Sequence, residues 1–89
     1  MSFKTYIAQR RITDTPAGDF VADARSDRRL PDAQTWQELE TYLHSRLKGY
    51  MVIAAARTVW TSFTAWKRAQ ARKARYADAI RQATAQNPA

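Results

Sequence analysis

Val52, Ala56, Val59, Phe63 and Trp66 recur at intervals of four and three, inside a stretch that holds neither glycine nor proline from Tyr50 to Asn87. That spacing matches the helical turn and puts the five side chains on one face of one helix. Strict period-two alternation is absent from the chain, so the pattern predicts an all-α protein. The helix is expected to start near Tyr50 and reach about Ala85, a length of about 50 Å at 1.5 Å per residue. A core built from 89 residues cannot cover that length. The large apolar stripe ends at Trp66, and the next positions in register are Gln70, Lys73, Ala77 and Ile80. The expected organisation is therefore a small helical bundle over residues 1–66 and a basic helical extension over 67–89. Alanines at 69, 71, 74, 77, 79 and 83 favour helix in that extension, and the terminal "TAQNPA" is expected to fray.

Shorter helices are expected upstream. Ser2 is placed to cap one from Phe3 to about Arg11, with Phe3, Tyr6 and Ile7 facing inward. Thr15 and Pro16 read as a cap and first residue of a second helix, which runs to about Ser26 and buries Phe20, Val21 and Ala24. Pro31 holds Leu30 extended within a loop. Thr35 and Glu38 then form a T-x-x-E capping box. The third helix is expected to carry Trp36, Leu39, Tyr42, Leu43 and Leu47 on one face. Gly49 marks either its stop or an interruption within a longer helix.

Several functional classes find no residues to carry them. The chain has no cysteine and one histidine, His44, with no carboxylate pair beside it, which is a poor basis for a metal site. Asp19, Asp23 and Asp27 line one helix face, but a hard cation needs ligands converging from several directions. Ser2, Ser26, Ser45 and Ser62 have no histidine-base context. We therefore expect no catalysis, no metal and no cofactor. The longest apolar run, Tyr50–Ala56, is far short of the roughly 20 residues that span a bilayer. "MSFKTYIAQRR" has no apolar stretch of signal-peptide length. The expectation is a cytoplasmic protein that does not enter a membrane.

Charge carries most of the functional information. Of the net +7, residues 1–44 contribute −1 and residues 45–89 contribute +8, with Asp78 the one acid in the second half. Arg57, Arg68, Arg72 and Arg75 fall within about 60° of one another around the last helix, opposite its apolar stripe. Lys67, Lys73 and Arg81 lie on other faces and add to the field. Without acids at i±4 these cations repel one another, which favours an anionic partner. Arginine's planar fork suits phosphate, and Thr58, Thr61 and Thr64 lie near enough to donate to phosphate oxygens. A solvated face that only keeps a small protein in solution is the plainer alternative.

The order of motifs resembles a known family. "FKTYIAQRR", "DTPAGDFVADARSD", "RRLPDAQTWQELETYL" and "VWTSF" are similar in sequence and spacing to the small bacterial YozE-like domains, over about Phe3 to Trp66. The resemblance implies a compact bundle of the sterile-alpha-motif-like (SAM-like) kind. It supplies no catalytic or binding residues, and those domains end sooner after the late aromatics and are more acidic there.

Two functions follow as expectations. The first is sequence-tolerant nucleic-acid binding, most of all DNA, through Arg57, Lys67, Arg68, Arg72, Lys73, Arg75 and Arg81. The second is a protein-interaction module. Its extension would dock in an acidic protein surface, or form a homodimer, using Trp66, Tyr76 and Ile80. A membrane-surface helix ranks last, because alanine gives the extension too little apolar area.

Overall fold

Four helices organise residues 2–86, the part of the chain that the computed structural model describes: α1 (Phe3–Gln9), α2 (Pro16–Ser26), α3 (Trp36–Ser45) and α4 (Tyr50–Gln86). The fold is all-α, with no strand among the described residues. Each of the first three helices starts at the hydroxyl cap expected from its sequence. The Oγ of Ser2 accepts from Thr5 N at 3.0 Å, that of Thr15 from Gly18 N at 3.0 Å, and that of Thr35 from Glu38 N at 3.2 Å. Glu38 reaches back as a capping box requires, but one residue further, accepting from the backbone N–H of Gln34 at 2.9 Å. Asp32 in the loop before α3 accepts from Lys4 N at 3.1 Å. That bond satisfies a free donor in the first turn of α1.

The core forms where α1 lays its aromatic face on the middle of α4. Phe3 stands with ring centroids 5.1 Å from Trp60 and 5.3 Å from Phe63. Tyr6 is 5.5 Å from Phe63 and 5.3 Å from Trp66. Offset and tilted aromatic pairs contribute about 0.5–1.5 kcal/mol each beyond their buried area. Helix α2 packs on both α1 and α4, and α3 packs on α4. Val21, Leu39, Ala56 and Val59 are also fully buried. Leu30 and Ala33 are also buried, so the loop between α2 and α3 is part of the core and not a mere connector.

The long helix outruns this core. Buried residues on α4 end at Phe63, with Trp66 half-buried behind it, and every residue from Ala71 to Thr84 is exposed. The radius of gyration is 17.2 Å, against about 12 Å expected for a compact domain of this length. The principal extents of 61 × 26 × 21 Å describe a small body with a rod. The rod is continuous to Gln86, so Thr84, Ala85 and Gln86, expected to fray, remain helical; the rest of that expected fraying, residues 87–89, lies outside the described residues.

Three expectations about element ends need correction. Helix α1 stops at Gln9, not near Arg11, and Arg10 is extended. The guanidinium of Arg25 in α2 donates to the carbonyls of Ile7 and Arg10, which closes that end. Leu47 does not lie on the inner face of α3. It sits beyond the helix at φ 58° and is 92% exposed. There Lys48 N donates to Leu43 O at 3.1 Å and Leu47 N to His44 O at 3.0 Å, the paired bonds of a Schellman cap. Leucine thus holds the left-handed position that glycine usually takes. Gly49 does separate α3 from α4, but from the other side: its carbonyl accepts from Ile53 N at 3.1 Å and opens α4.

Gly18 carries a different constraint. A Cβ there would lie 1.8 Å from the Thr13 carbonyl oxygen, because the chain before α2 folds back across its first turn. Gly18→Ala is therefore expected to destabilise by about 2–3 kcal/mol, lowering Tm by more than about 8 °C. Leu47→Gly removes a side chain that packs on nothing and relieves a left-handed leucine. We expect it to raise stability by about 1 kcal/mol. Thermal denaturation followed by circular dichroism measures both.

Candidate functional site

The candidate site is the free part of α4 and its root. Starting a helix is costly, because the first turn fixes several residues for one hydrogen bond. Here the segment from Tyr50 to Trp66, held against the bundle, acts as the nucleus, and the alanine-rich remainder only has to propagate. The bundle thus serves as a mount that keeps a basic rod straight and away from its own surface.

The sequence-predicted residues do not all stand alike. Arg68, Arg72, Lys73 and Arg75 are exposed and form no ion pair among the described residues. Lys67 is exposed with its ammonium 5.0 Å from the Phe63 ring centroid, a cation–π contact at the point where the rod leaves the core. Arg57 is exposed but not bare, because its guanidinium lies 5.0 Å from the ring centroid of Trp36 on α3. Arg81 forms the single ion pair among the described residues, 3.2 Å from Asp78. Both partners are well exposed, so the pair is weak, yet it lowers the free charge at the tip.

The three threonines differ from expectation. Thr58 Oγ1 donates to Ala54 O at 3.2 Å, Thr61 to Arg57 O at 3.0 Å and Thr64 to Thr61 O at 2.8 Å. Their hydroxyl protons are taken by the helix backbone, the usual habit of threonine within a helix. They do not stand ready as phosphate donors.

Among the apolar candidates, Trp66 is half-buried, tied to Tyr6 and Phe63 with centroids at 5.3 and 6.3 Å. It acts first as the outer edge of the core. Tyr76 and Ile80 stand free, 70% and 50% exposed. The sequence reading missed a second apolar group, Leu47, Tyr50 and Met51, which are exposed where α4 begins. Their position ahead of the buried stripe, off its register, was the available signal.

Nothing in the rest of the surface rivals the rod. A hollow of about 820 Å³ beside Lys67, Arg68, Gln70 and Lys73 is lined by one helix alone and is an open flank. A smaller hollow of about 300 Å³ between α2 and α3 includes Asp23, Asp27, Tyr42 and Arg46. Its central carboxylate is already committed: Asp27 accepts from the Tyr42 hydroxyl and from Arg29 N at 3.0 Å. The Tyr42 hydrogen bond holds the Asp27 carboxyl below its ordinary value of 3.8. The same bond pushes the Tyr42 phenol above 10.0. This pair fastens α3 to the end of α2. Among the described residues no group of three or more His, Asp or Glu is placed to hold a metal. No described helix is long and apolar enough to cross a membrane.

No protein-family model, curated protein or solved structure matches this chain.

The Asp27–Tyr42 pair gives the fold a defined pH dependence. Asp27 is more acidic folded than unfolded, so its contribution is present above pH 3.8 and is lost as pH falls through the lowered value. Tyr42 holds its proton more tightly folded, so its contribution is present below pH 10.0 and is lost as pH rises through the raised value. Tyr42→Phe should cost about 1 kcal/mol at neutral pH, and the difference from the unmodified protein should narrow in acid. NMR titration should show the Asp27 carboxyl returning toward its ordinary value.

Proposed function

We propose that this chain is a small non-enzymatic binding module that grips nucleic acid by its phosphates, with the rod of α4 as the gripping element. The observation that carries this reading is the state of the cations. From Lys67 to Gln86 there are six cations and one carboxylate, on a helix that is exposed on all sides from Ala71 to Thr84. Arg68–Arg72 at i,i+4 and Arg72–Arg75 at i,i+3 repel by a few tenths of a kcal/mol each. A row of phosphates turns that repulsion into attraction and releases counterions. Arg57 continues the arginine row toward the bundle, and Lys67, on another face, adds to the field. Contacts to phosphates carry no base information, so binding through them is sequence-tolerant. The intracellular location that such a partner requires agrees with the lack of cysteine.

A second reading is a protein-interaction module, as the SAM-like resemblance suggests. The exposed Leu47, Tyr50 and Met51, close in sequence around the start of α4, favour it, because exposed apolar surface can mark a contact site. In that case the acidic partner of the rod would be a protein surface.

Anisotropy of a labelled 20-base-pair DNA duplex, titrated at several salt concentrations, separates the two. With about five phosphate contacts the log–log salt slope should be about −4.5, an affinity loss of about 500-fold between 50 and 200 mM salt. Replacing Arg68, Arg72 and Arg75 together by glutamine should bring the slope to about −2 while leaving Tm unchanged, since none of them packs on the core. An intact protein that leaves the duplex free at 50 mM salt would refute the proposal.

A further inference from the structure

The placement of charge around the rod, and not only along it, points to the kind of polyanion. With Arg75 at 0°, helical geometry puts Arg68 at about 20°, Arg72 at about 60°, Lys73 at about 160°, Arg81 at about 240° and Lys67 at about 280°. The cations encircle the rod, and exposure from Ala71 to Thr84 leaves all its sides accessible. A flat anionic surface meets one side of a helix and would leave about half of these cations facing water. A bilayer surface also needs an uninterrupted apolar side. The only large apolar groups, Tyr76 at about 100° and Ile80 at about 140°, have Lys73 beside them. A single strand is gripped mainly by stacking on several aromatic rings, and the free rod presents one, Tyr76.

A groove walled on both sides by phosphates uses the cations on both flanks of the rod and leaves only Lys67, at its root, facing outward. We propose that the rod enters the major groove of B-form DNA with the Tyr76–Ile80 edge toward the groove floor. This deepens the nucleic-acid reading above and rests on it. With that edge at about 120°, Arg68, Arg72 and Arg75 fall on one flank and Lys73 and Arg81 on the other. Phosphates of both strands are then contacted at once. A helix with side chains is about 10–12 Å across, and the major groove is about 12 Å wide. The free segment Ala71–Gln86 is about 24 Å long, enough to lie in the groove while the bundle stays outside. Ile80 and the tyrosine ring offer apolar contact to thymine methyl groups, which reads little sequence. The deep, narrow major groove of A-form RNA excludes such a rod.

The test uses the intact protein with three labelled probes of one sequence: a 20-base-pair DNA duplex, its single strand and the corresponding RNA duplex. The DNA duplex should bind more tightly than either of the others by about tenfold. Methyl green, a major-groove ligand, should displace the protein, and netropsin, a minor-groove ligand, should not. Lys73→Gln and Arg75→Gln lie on opposite flanks and outside the core, so each should fold normally and lower the salt slope by about 0.9. Equal affinity for duplex and single strand, insensitivity to methyl green, or an effect from only one of the two substitutions would overturn the groove assignment and leave the phosphate-binding reading intact. Failure to bind any of the three probes at low salt would overturn both.

Discussion

The aromatic contact between α1 and α4 decides where this protein stops being a bundle and becomes a rod. Phe3 and Tyr6 cover Trp60, Phe63 and the near side of Trp66, and beyond that point nothing in the first three helices is long enough to follow. The rest of the architecture depends on this contact. Helix α2 is seated across the α1–α4 pair, and α3 is fastened to α2 through Tyr42 and Asp27. A bundle this small buries a limited apolar surface, so a few aromatic rings form a large part of its cohesion.

The same contact makes a free basic helix physically reasonable. Helix formation is limited by nucleation, and the packed half of α4 removes that barrier for the exposed half. Alanine sustains propagation without apolar bulk that would collapse onto the bundle or a second copy. The cations gain nothing from the fold itself. They lie beyond its reach, apart from Arg57 at the Trp36 ring and Lys67 at the Phe63 ring; Arg81 pairs with Asp78 on the rod itself. Charges placed at a distance from their own protein's acids keep their full field for something else. The end of α2 serves the bundle: Asp27 just beyond it holds Tyr42, while Arg25 within it closes the end of α1.

Much of the fold was legible because its determinants are local. Hydroxyl caps at Ser2, Thr15 and Thr35 each precede an apolar pattern, and each bonds to the N–H three residues on. The end of the apolar stripe at Trp66 marks the end of the core, because a residue with no neighbour to pack on has no reason to be apolar. The candidate site was legible in the same way, as a run of cations without acids. What misled the reading were groups with two possible partners. Thr58, Thr61 and Thr64 looked available to phosphate, but their own backbone lies closer. Leu47 matched the spacing of α3, but the helix had already closed its last turn at Arg46.

By itself the sequence determined that the chain is helical, where its helices begin, and that its positive charge collects in a segment with little apolar bulk. Those properties depend on residues three or four apart, which a linear sequence displays directly. Tertiary structure decided the rest. The fold-back of Thr13 over α2 leaves Gly18 no room for a side chain. Leu30 and Ala33 are drawn inside from a loop. The bundle ends so early along α4 that cations on every side of the rod reach solvent. Each of these results depends on which distant segments meet, and chain closure around a shared aromatic core determines that, not local spacing.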